Sequence, residues 1–261
     1  MKKKVTVQTI LKKKGKTPIT CLTSYTKTFA QIVDKHCDII LVGDSVGTVI
    51  YGMNDTKKVT LDMMLNHAKS VRLGVEKSLL VVDMPFKTYT NKNIAYRNAK
   101  KLIKESKCDA VKLEGGIKIS NIVKYLVKKK IPVMGHVGLL PQYTKRYKVQ
   151  GASKAQRKKI LKDAVAISKA GAFAVVIECV VENLARELTN LISIPTIGIG
   201  ASKFCDGQVL VIDDMIGLSN FYPKFVKRYD NVNQIIATSI KNFCKEVKTR
   251  RFPSMKNVYK K

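Results

Sequence analysis

Six side chains able to do acid–base or metal chemistry stand at the ends of apolar runs. Asp44 follows "IILVG", Asp83 follows "LLVV", Lys112 and Glu114 lie in "AVKLEGG", His136 closes "IPVMGH" and Glu178 closes "AVVIE". A carboxylate at the end of a buried run must leave the core, find a partner or bind something. Short apolar runs bounded by polar or Gly-rich turns read as buried strands of a parallel sheet. In a parallel barrel the C-terminal strand ends converge on one face, where the βα loops build active sites. Five strands would then aim four carboxylates, one ammonium and one imidazole into a single cup.

The chemistry of such a cup follows from charge. Carboxylates that converge without a cation repel one another and take up protons. Hard oxygen donors in a partly open arrangement suit Mg²⁺, which keeps several waters and binds through one or two carboxylates plus substrate. Asp44 and Asp83 are the best direct ligands, with Glu114 direct or through water; zinc is disfavoured because neither His nor Cys is clustered. Taken alone, each residue also has a simpler reading. Asp44 could cap the turn that begins at Ser45, and His136 could be a hydrogen-bonded core histidine. Lys112 could pair with Glu114, two residues on along the same strand face. Glu178 could sit in the first turn of a helix, stabilised by its dipole. Their joint placement favours function. The "PTIGIGAS" segment predicts a Gly-rich turn that either holds phosphate or serves tight packing.

The elements that must position these residues alternate along the chain. Strands are expected at Ile19–Thr23, Ile39–Val42, Leu79–Val82, Ala110–Leu113, Pro132–Met134, Ala174–Ile177, Thr196–Ile199 and Val209–Ile212. Helices are expected at about 25–35, 60–74, 92–106, 117–129, 153–170, 181–191 and 232–247. In "TLDMMLNHAKSVRLG" the apolar residues 61, 64, 65, 68 and 71 share one helical face, with Thr60 as a cap. Ser153 is a candidate cap and Gly171 a stop for "SKAQRKKILKDAVAISKAGA". Eight βα units predict a single α/β domain over residues 1–261, a (β/α)₈ TIM barrel with a short N-terminal helix and a C-terminal helical extension. A doubly wound open sheet would want an early strand–GxGxxG–helix unit, and none is present.

Composition bounds the setting. The chain of 261 residues is 45% hydrophobic, enough for a full core, but no apolar run reaches the roughly 18–20 residues of a membrane span. The N-terminal "MKKKVTVQTILKKKGK" lacks the apolar core and cleavage site of a secretory signal. Six cysteines are scattered without a CxxC pair, which predicts a reduced, cytoplasmic protein. The net charge of +30 invites a nucleic-acid reading. However, only eight of the 49 basic residues are Arg, the lysines are dispersed, and no nucleic-acid-binding signature is present. Neither a nucleic-acid nor a membrane partner is expected.

The ordered stretches "LVGDSVG", "DMPF", "VKLEGG", "PVMGHVGLLPQ", "YKVQG", "AVVIECV", "IPTIGIGAS", "DGQVLV" and "PKFVK" resemble the ketopantoate hydroxymethyltransferase (3-methyl-2-oxobutanoate hydroxymethyltransferase) family, from about residue 5 to 247. The resemblance implies a Mg²⁺-dependent barrel that condenses 5,10-methylenetetrahydrofolate with 3-methyl-2-oxobutanoate, giving 2-dehydropantoate for pantothenate synthesis. Carried over by motif, Asp44, Asp83 and Glu114 would hold the metal. Asp44, Ser45, Asp83 and Lys112 would contact the 2-oxo acid, and Glu178 would be the base. His136 is expected as a further polar contact to substrate. A homodecamer is the assembly the resemblance implies. Two departures stand out: "SYT" carries Thr26 where the family pattern has an acid, and the loop between "PQ" and "YKVQG" is shorter. The contrasting readings are a Mg²⁺-dependent enzyme of the phosphoenolpyruvate mutase and isocitrate lyase group, whose "KKCGH"-type segment is missing here, and a basic nucleic-acid-binding barrel.

Overall fold

Eight short strands pair in parallel in chain order, and the last returns to the first to close a barrel. They are β1 (Ile19–Thr23), β2 (Ile39–Val42), β3 (Leu79–Asp83), β4 (Ala110–Lys112), β5 (Val133–Gly138), β6 (Ala174–Glu178), β7 (Thr196–Ile199) and β8 (Gly207–Leu210). The structure is a computed structural model and describes residues 4–144, 147–219 and 222–259. Two compact units divide the chain, one running to Val211 and the other starting at Ile212. The barrel lies wholly in the first.

The helices of the first unit are α1 (Val7–Lys12), α2 (Lys27–Val33), α3 (Val46–Val49), α4 (Leu61–Arg72), α5 (Lys92–Ser106), α6 (Ile117–Lys128), α7 (Lys154–Lys169) and α8 (Glu182–Leu191). The expected caps Thr60 and Ser153 are in place, accepting the N–H groups of Met63 and Gln156, and Asn91 caps α5 in the same way by accepting from Ile94. Each satisfies one orphan donor of a first turn. Thr26 does the same for α2 by accepting from Phe29, so the Thr that replaces an acid still caps. On α4 the buried face is Met64, Leu65, Ala68 and Val71. Burying a side chain of Val, Leu or Met size contributes roughly 1.5–3 kcal/mol, so this face rather than helix propensity holds α4 to the strands.

Strand pleating sorts the side chains. Leu79 and Val81 of β3, Ala110 of β4, Met134 of β5 and Val176 of β6 belong to the core inside the barrel. Side chains two residues apart share a face. The same inner face therefore receives Asp83, Lys112, His136 and Glu178, one layer nearer the C-terminal mouth.

Five strands differ from expectation, β3, β4 and β6 by a single C-terminal residue, and glycine bears on the two larger shifts, in β5 and β8. β5 runs past its expected end at Met134 to Gly138 and so contains His136. A Cβ on Gly135 would lie 2.3 Å from a methyl carbon of Ile167, so the glycine lets α7 pack directly on β5. β8 starts at Gly207 rather than Val209, because a Cβ there would lie 2.4 Å from the Ile19 carbonyl. Ile212, expected to end that strand, opens the short helix α9 (Ile212–Met215) instead.

The opposite mouth is closed by α1, which places Ile10 in the barrel core and packs Val5, Val7 and Leu11 against it. Lys4, Lys13 and Lys14 of this segment pair with Asp109, Asp38 and Asp206 at 2.9, 2.6 and 2.8 Å. Those aspartates also accept backbone N–H groups of Leu80, Thr20 and Thr196. The second unit holds α9 (Ile212–Met215) and α10 (Val232–Lys248), joined through backbone bonds such as Tyr229 N–H to Met215 C=O at 2.8 Å. On α10, Ile235, Ile236, Ile240, Phe243 and Val247 are all exposed.

Burial opposes ionisation of Asp206, but its bonds from Lys14, Thr196 and Gly15 outweigh that and hold the carboxyl below the usual carboxylate range. A depressed carboxyl stabilises the fold above its unfolded pKa and loses that contribution as the pH falls through the folded value. Asp206→Ala should therefore cost about 1–3 kcal/mol of unfolding free energy at pH 7 by urea titration. The gap to wild type should close as the pH is lowered below about 4.

Candidate active site

Asp44 is the second residue after β2, buried to 5% exposure, and its side chain turns into the barrel mouth rather than onto the following helix. Its N–H donates to Oδ2 of Asp83 at 3.1 Å, while its own Oδ2 accepts from the Gln142 side-chain amide at 2.8 Å. The residue flanking α3 is Ser45, which makes no side-chain cap, so the turn-cap reading of Asp44 does not hold. Ser45 Oγ instead meets the Tyr25 hydroxyl at 2.8 Å.

Asp83 closes β3 and Lys112 closes β4, where the two are register partners. Lys112 Nζ donates to Asp83 Oδ1 at 2.8 Å, and both side chains are buried. The alternative pairing of Lys112 with Glu114 is therefore replaced by a cross-strand pair. Burial alone would discharge Lys112. The negative charges of Asp83, Glu114 and Asp44 outweigh it and hold the ammonium well above the usual lysine range.

Glu114 lies just past β4, is almost fully buried, and accepts the Gln142 backbone N–H at 3.1 Å. His136 stands between two acids: Nδ1 is 3.6 Å from Glu114 Oε1 and Nε2 is 3.2 Å from Glu178 Oε2. The first lies beyond hydrogen-bond distance and the second is poorly aligned, so neither buried ring nitrogen makes a well-formed hydrogen bond. Burial first, then the Lys112 charge, push the imidazole pKa down, so His136 is neutral near pH 7. Glu178 ends β6 with 15% of its side chain exposed, the most open carboxylate of the four. It precedes α8 by several residues and belongs to the strand, not to a helix turn.

The structure thus brings Asp44, Asp83, Lys112, Glu114, His136 and Glu178 to one mouth, with Ser45 beside Asp44. Four carboxylates face one ammonium. Burial, then the charge of Asp83, push the Asp44 carboxyl up to about 7. Burial, then Asp44, raise Glu114 well above the carboxylate range. That frustrated negative charge, with the unpartnered nitrogens of His136, fits a divalent cation and an oxygen-rich ligand. No group of three or more His, Cys, Asp or Glu among the described residues forms a ready cage. Hard carboxylate oxygens without a clustered thiolate or second imidazole are donors of the kind that suit Mg²⁺ completed by substrate and water.

Sequence reasoning missed Gln142, Tyr25 and Tyr89. Gln142 sits in the 3₁₀ turn Pro141–Tyr143 after β5 and touches both Asp44 and Glu114. A neutral amide gives no titration signal, and only its place in "GLLPQ" could have marked it. The Gly-rich turn after β7 is tied by Ser202, whose hydroxyl donates to Glu182 and whose carbonyl accepts from Gln208, which favours packing over phosphate. The shortened loop before Tyr147 contains Lys145 and Arg146, which lie outside the described residues.

Known proteins agree with this reading of sequence and fold. The profile of the family described as ketopantoate hydroxymethyltransferase matches residues 4–255. A 3-methyl-2-oxobutanoate hydroxymethyltransferase of Pelagibacter ubique is 54% identical over 249 residues, covering 95% of this chain and 97% of that one. The enzyme of that name from Rhizobium etli is 50% identical over 264 residues, covering 99% and 97%. Among solved structures, a 2,3-dimethylmalate lyase of the PEP mutase/isocitrate lyase superfamily superposes with TM-score 0.62 at 13% identity, covering 96% of this chain and 90% of that one. A phosphonopyruvate hydrolase crystallised with oxalate and Mg²⁺ superposes with TM-score 0.64 at 9% identity, covering 96% and 92%. At such identities these two share the fold alone.

A raised carboxyl pKa makes the folded state bind its proton more tightly than the unfolded chain, so stability falls as pH rises from about 4 through 7. Asp44→Asn in chelator should therefore unfold a few degrees above wild type at pH 8. The gain should fade toward pH 5, and scanning calorimetry across that range checks it.

Proposed function

The chain belongs to the ketopantoate hydroxymethyltransferase family and is a transferase of that type, and we propose that it moves a hydroxymethyl group from 5,10-methylenetetrahydrofolate to 3-methyl-2-oxobutanoate, giving 2-dehydropantoate. What carries the reading is Glu178, an accessible carboxylate at the mouth that holds one ammonium, one neutral imidazole and three more carboxylates.

In this proposal Asp44 and Asp83, with Glu114 direct or through water, hold Mg²⁺, which when bound would polarise the 2-oxo acid as a Lewis acid. Lys112, kept charged by its acidic neighbours, lies ready to stabilise negative charge as it develops on the substrate oxygens. Glu178 takes the proton from C3, and the C–H electron pair becomes the enolate double bond. Water hydrolyses the methylene bridge: its oxygen bonds to the one-carbon unit, both C–N bonds break, and its two protons go to the tetrahydrofolate nitrogens, leaving a carbonyl carbon at the formaldehyde level. The enolate carbon attacks that carbon, and the proton held by Glu178 passes to the resulting alkoxide to give the hydroxyl. Ser45, held by Tyr25, presents its hydroxyl beside Asp44 toward the substrate carboxylate. His136 is neutral and offers a ring nitrogen to the bound acid without adding charge.

The proposal extends to a cytoplasmic homo-oligomer. Six free cysteines, three of them buried, suit a reducing compartment. No helix among the described residues is long and apolar enough to cross a membrane.

Deuterium exchange at C3 of 3-methyl-2-oxobutanoate, followed by NMR without folate, isolates the first step. Exchange should require Mg²⁺, and Glu178→Gln should slow it at least about 100-fold, within the usual range for a general base. Binding of the acid with Mg²⁺ should persist in the variant. Undiminished exchange would remove Glu178 from the role of base.

A further inference from the structure

Gln142 is a fully buried polar side chain that takes no part in the chemistry outlined above, yet it donates to two of the site's carboxylates. Its side-chain NH₂ donates to Asp44 Oδ2 at 2.8 Å and to the Met84 carbonyl at 3.0 Å. Its side-chain oxygen accepts from the Tyr89 hydroxyl, and its backbone N–H donates to Glu114 Oε2 at 3.1 Å. The amide cannot be turned the other way. The Met84 carbonyl only accepts and so demands the NH₂ end, while the Tyr89 hydroxyl meets the oxygen.

One residue therefore engages one oxygen of each of two carboxylates that belong to different strands. Asp44 is left with Oδ1 and Glu114 with Oε1, the latter 3.6 Å from His136 Nδ1 and beyond hydrogen-bond reach. We propose that Gln142 is a positioning residue that reserves these two oxygens for a bound divalent cation, by occupying the other oxygen of each carboxylate. The proposal rests on the reading of Asp44 and Glu114 as cation ligands.

The choice of an amide follows from charge. A lysine at this position would supply the same donors but would cancel the negative charge that draws the cation. A carboxylic acid would add a fifth negative group. Glutamine gives donors and leaves the charge as it is. Tyr89 is itself buried, and its hydroxyl lies 3.5 Å from that of Tyr143, which is 54% exposed on the same turn. The turn after β5 thus runs from the rim of the mouth down to both carboxylates.

The test uses the full-length protein and Mn²⁺ as the probe, with calorimetric titration in the presence of 3-methyl-2-oxobutanoate. Gln142→Met keeps the volume and removes the side-chain donors to Asp44 and Met84, while the backbone N–H to Glu114 stays. Its Mn²⁺ dissociation constant should rise about 10–100-fold, the range seen when partners of metal ligands are removed. Saturating Mn²⁺ should restore most of the C3 exchange rate, so that the metal requirement moves and the maximal rate does not. Tyr89→Phe leaves Gln142 in place but removes the hydroxyl that orients its amide, together with that hydroxyl's longer contacts to the Glu114 carbonyl and Tyr143, and should raise the constant in the same direction by about threefold or more. It also covers the case in which Gln142→Met fails to fold. Wild-type Mn²⁺ affinity in a folded variant overturns the proposal. So does an exchange rate that stays low at saturating metal, which marks a merely structural defect. If wild type binds no Mn²⁺, the reading of the carboxylates as a cation site falls, and this proposal falls with it.

Discussion

The ion pair between Asp83 and Lys112 is the constraint around which the site is organised. The two residues are register partners at the ends of neighbouring strands, 2.8 Å apart and buried. Bringing two charges out of water costs several kcal/mol per ion, and the attraction between them recovers this only when geometry and further hydrogen bonds are good. Here the further bonds exist: Asp83 also receives the Asp44 N–H, and Lys112 feels Glu114 and Asp44 as well. A slip of one residue between β3 and β4 would turn one partner to the outside of the barrel and leave the other uncompensated. The register of the closed sheet and the polarity of the site are thus one condition.

The two ends of the barrel treat the same side chain in opposite ways. At the α1 end, Asp38, Asp109 and Asp206 each meet a lysine and at least one backbone N–H, and Asp206 is held below the usual carboxylate range. At the other end, Asp44 and Glu114 each accept one bond from Gln142, but burial and neighbouring carboxylates outweigh it and the field of Lys112, and both are raised. Satisfied carboxylates contribute to stability; frustrated ones store a demand for positive charge that a cation and substrate can meet. The satisfied carboxylates and those of the proposed active site thus lie at opposite ends of the strands, as the barrel architecture permits.

Much of this was legible in the sequence because strand ends are marked twice, by the close of an apolar run and by the polar residue that follows. Three of the strands match their expected bounds, Ile19–Thr23, Ile39–Val42 and Thr196–Ile199. β5 and β8 were displaced because glycine carries no periodicity, although Gly135 and Gly207 are there to admit a helix and a neighbouring strand. The convergence of Asp44, Asp83, Lys112, Glu114, His136 and Glu178 follows from parallel topology alone. The partner of Lys112 did not, since a same-strand neighbour and a cross-strand neighbour look alike until register is known. Gln142 was hidden for a different reason: its contacts lie 28 and 98 residues away and involve no charge of its own.

The central claim is that the charge excess of this mouth exists to bind a cation and a 2-oxo acid with C3 facing Glu178. A crystal structure of the protein with Mg²⁺ and 3-methyl-2-oxobutanoate tests it most directly. The account predicts one cation on Asp44 and Asp83, the acid beside Lys112, and C3 within proton-transfer reach of the Glu178 carboxylate. An acid bound with C3 turned away from Glu178, or a cation seated elsewhere on the chain, would contradict it.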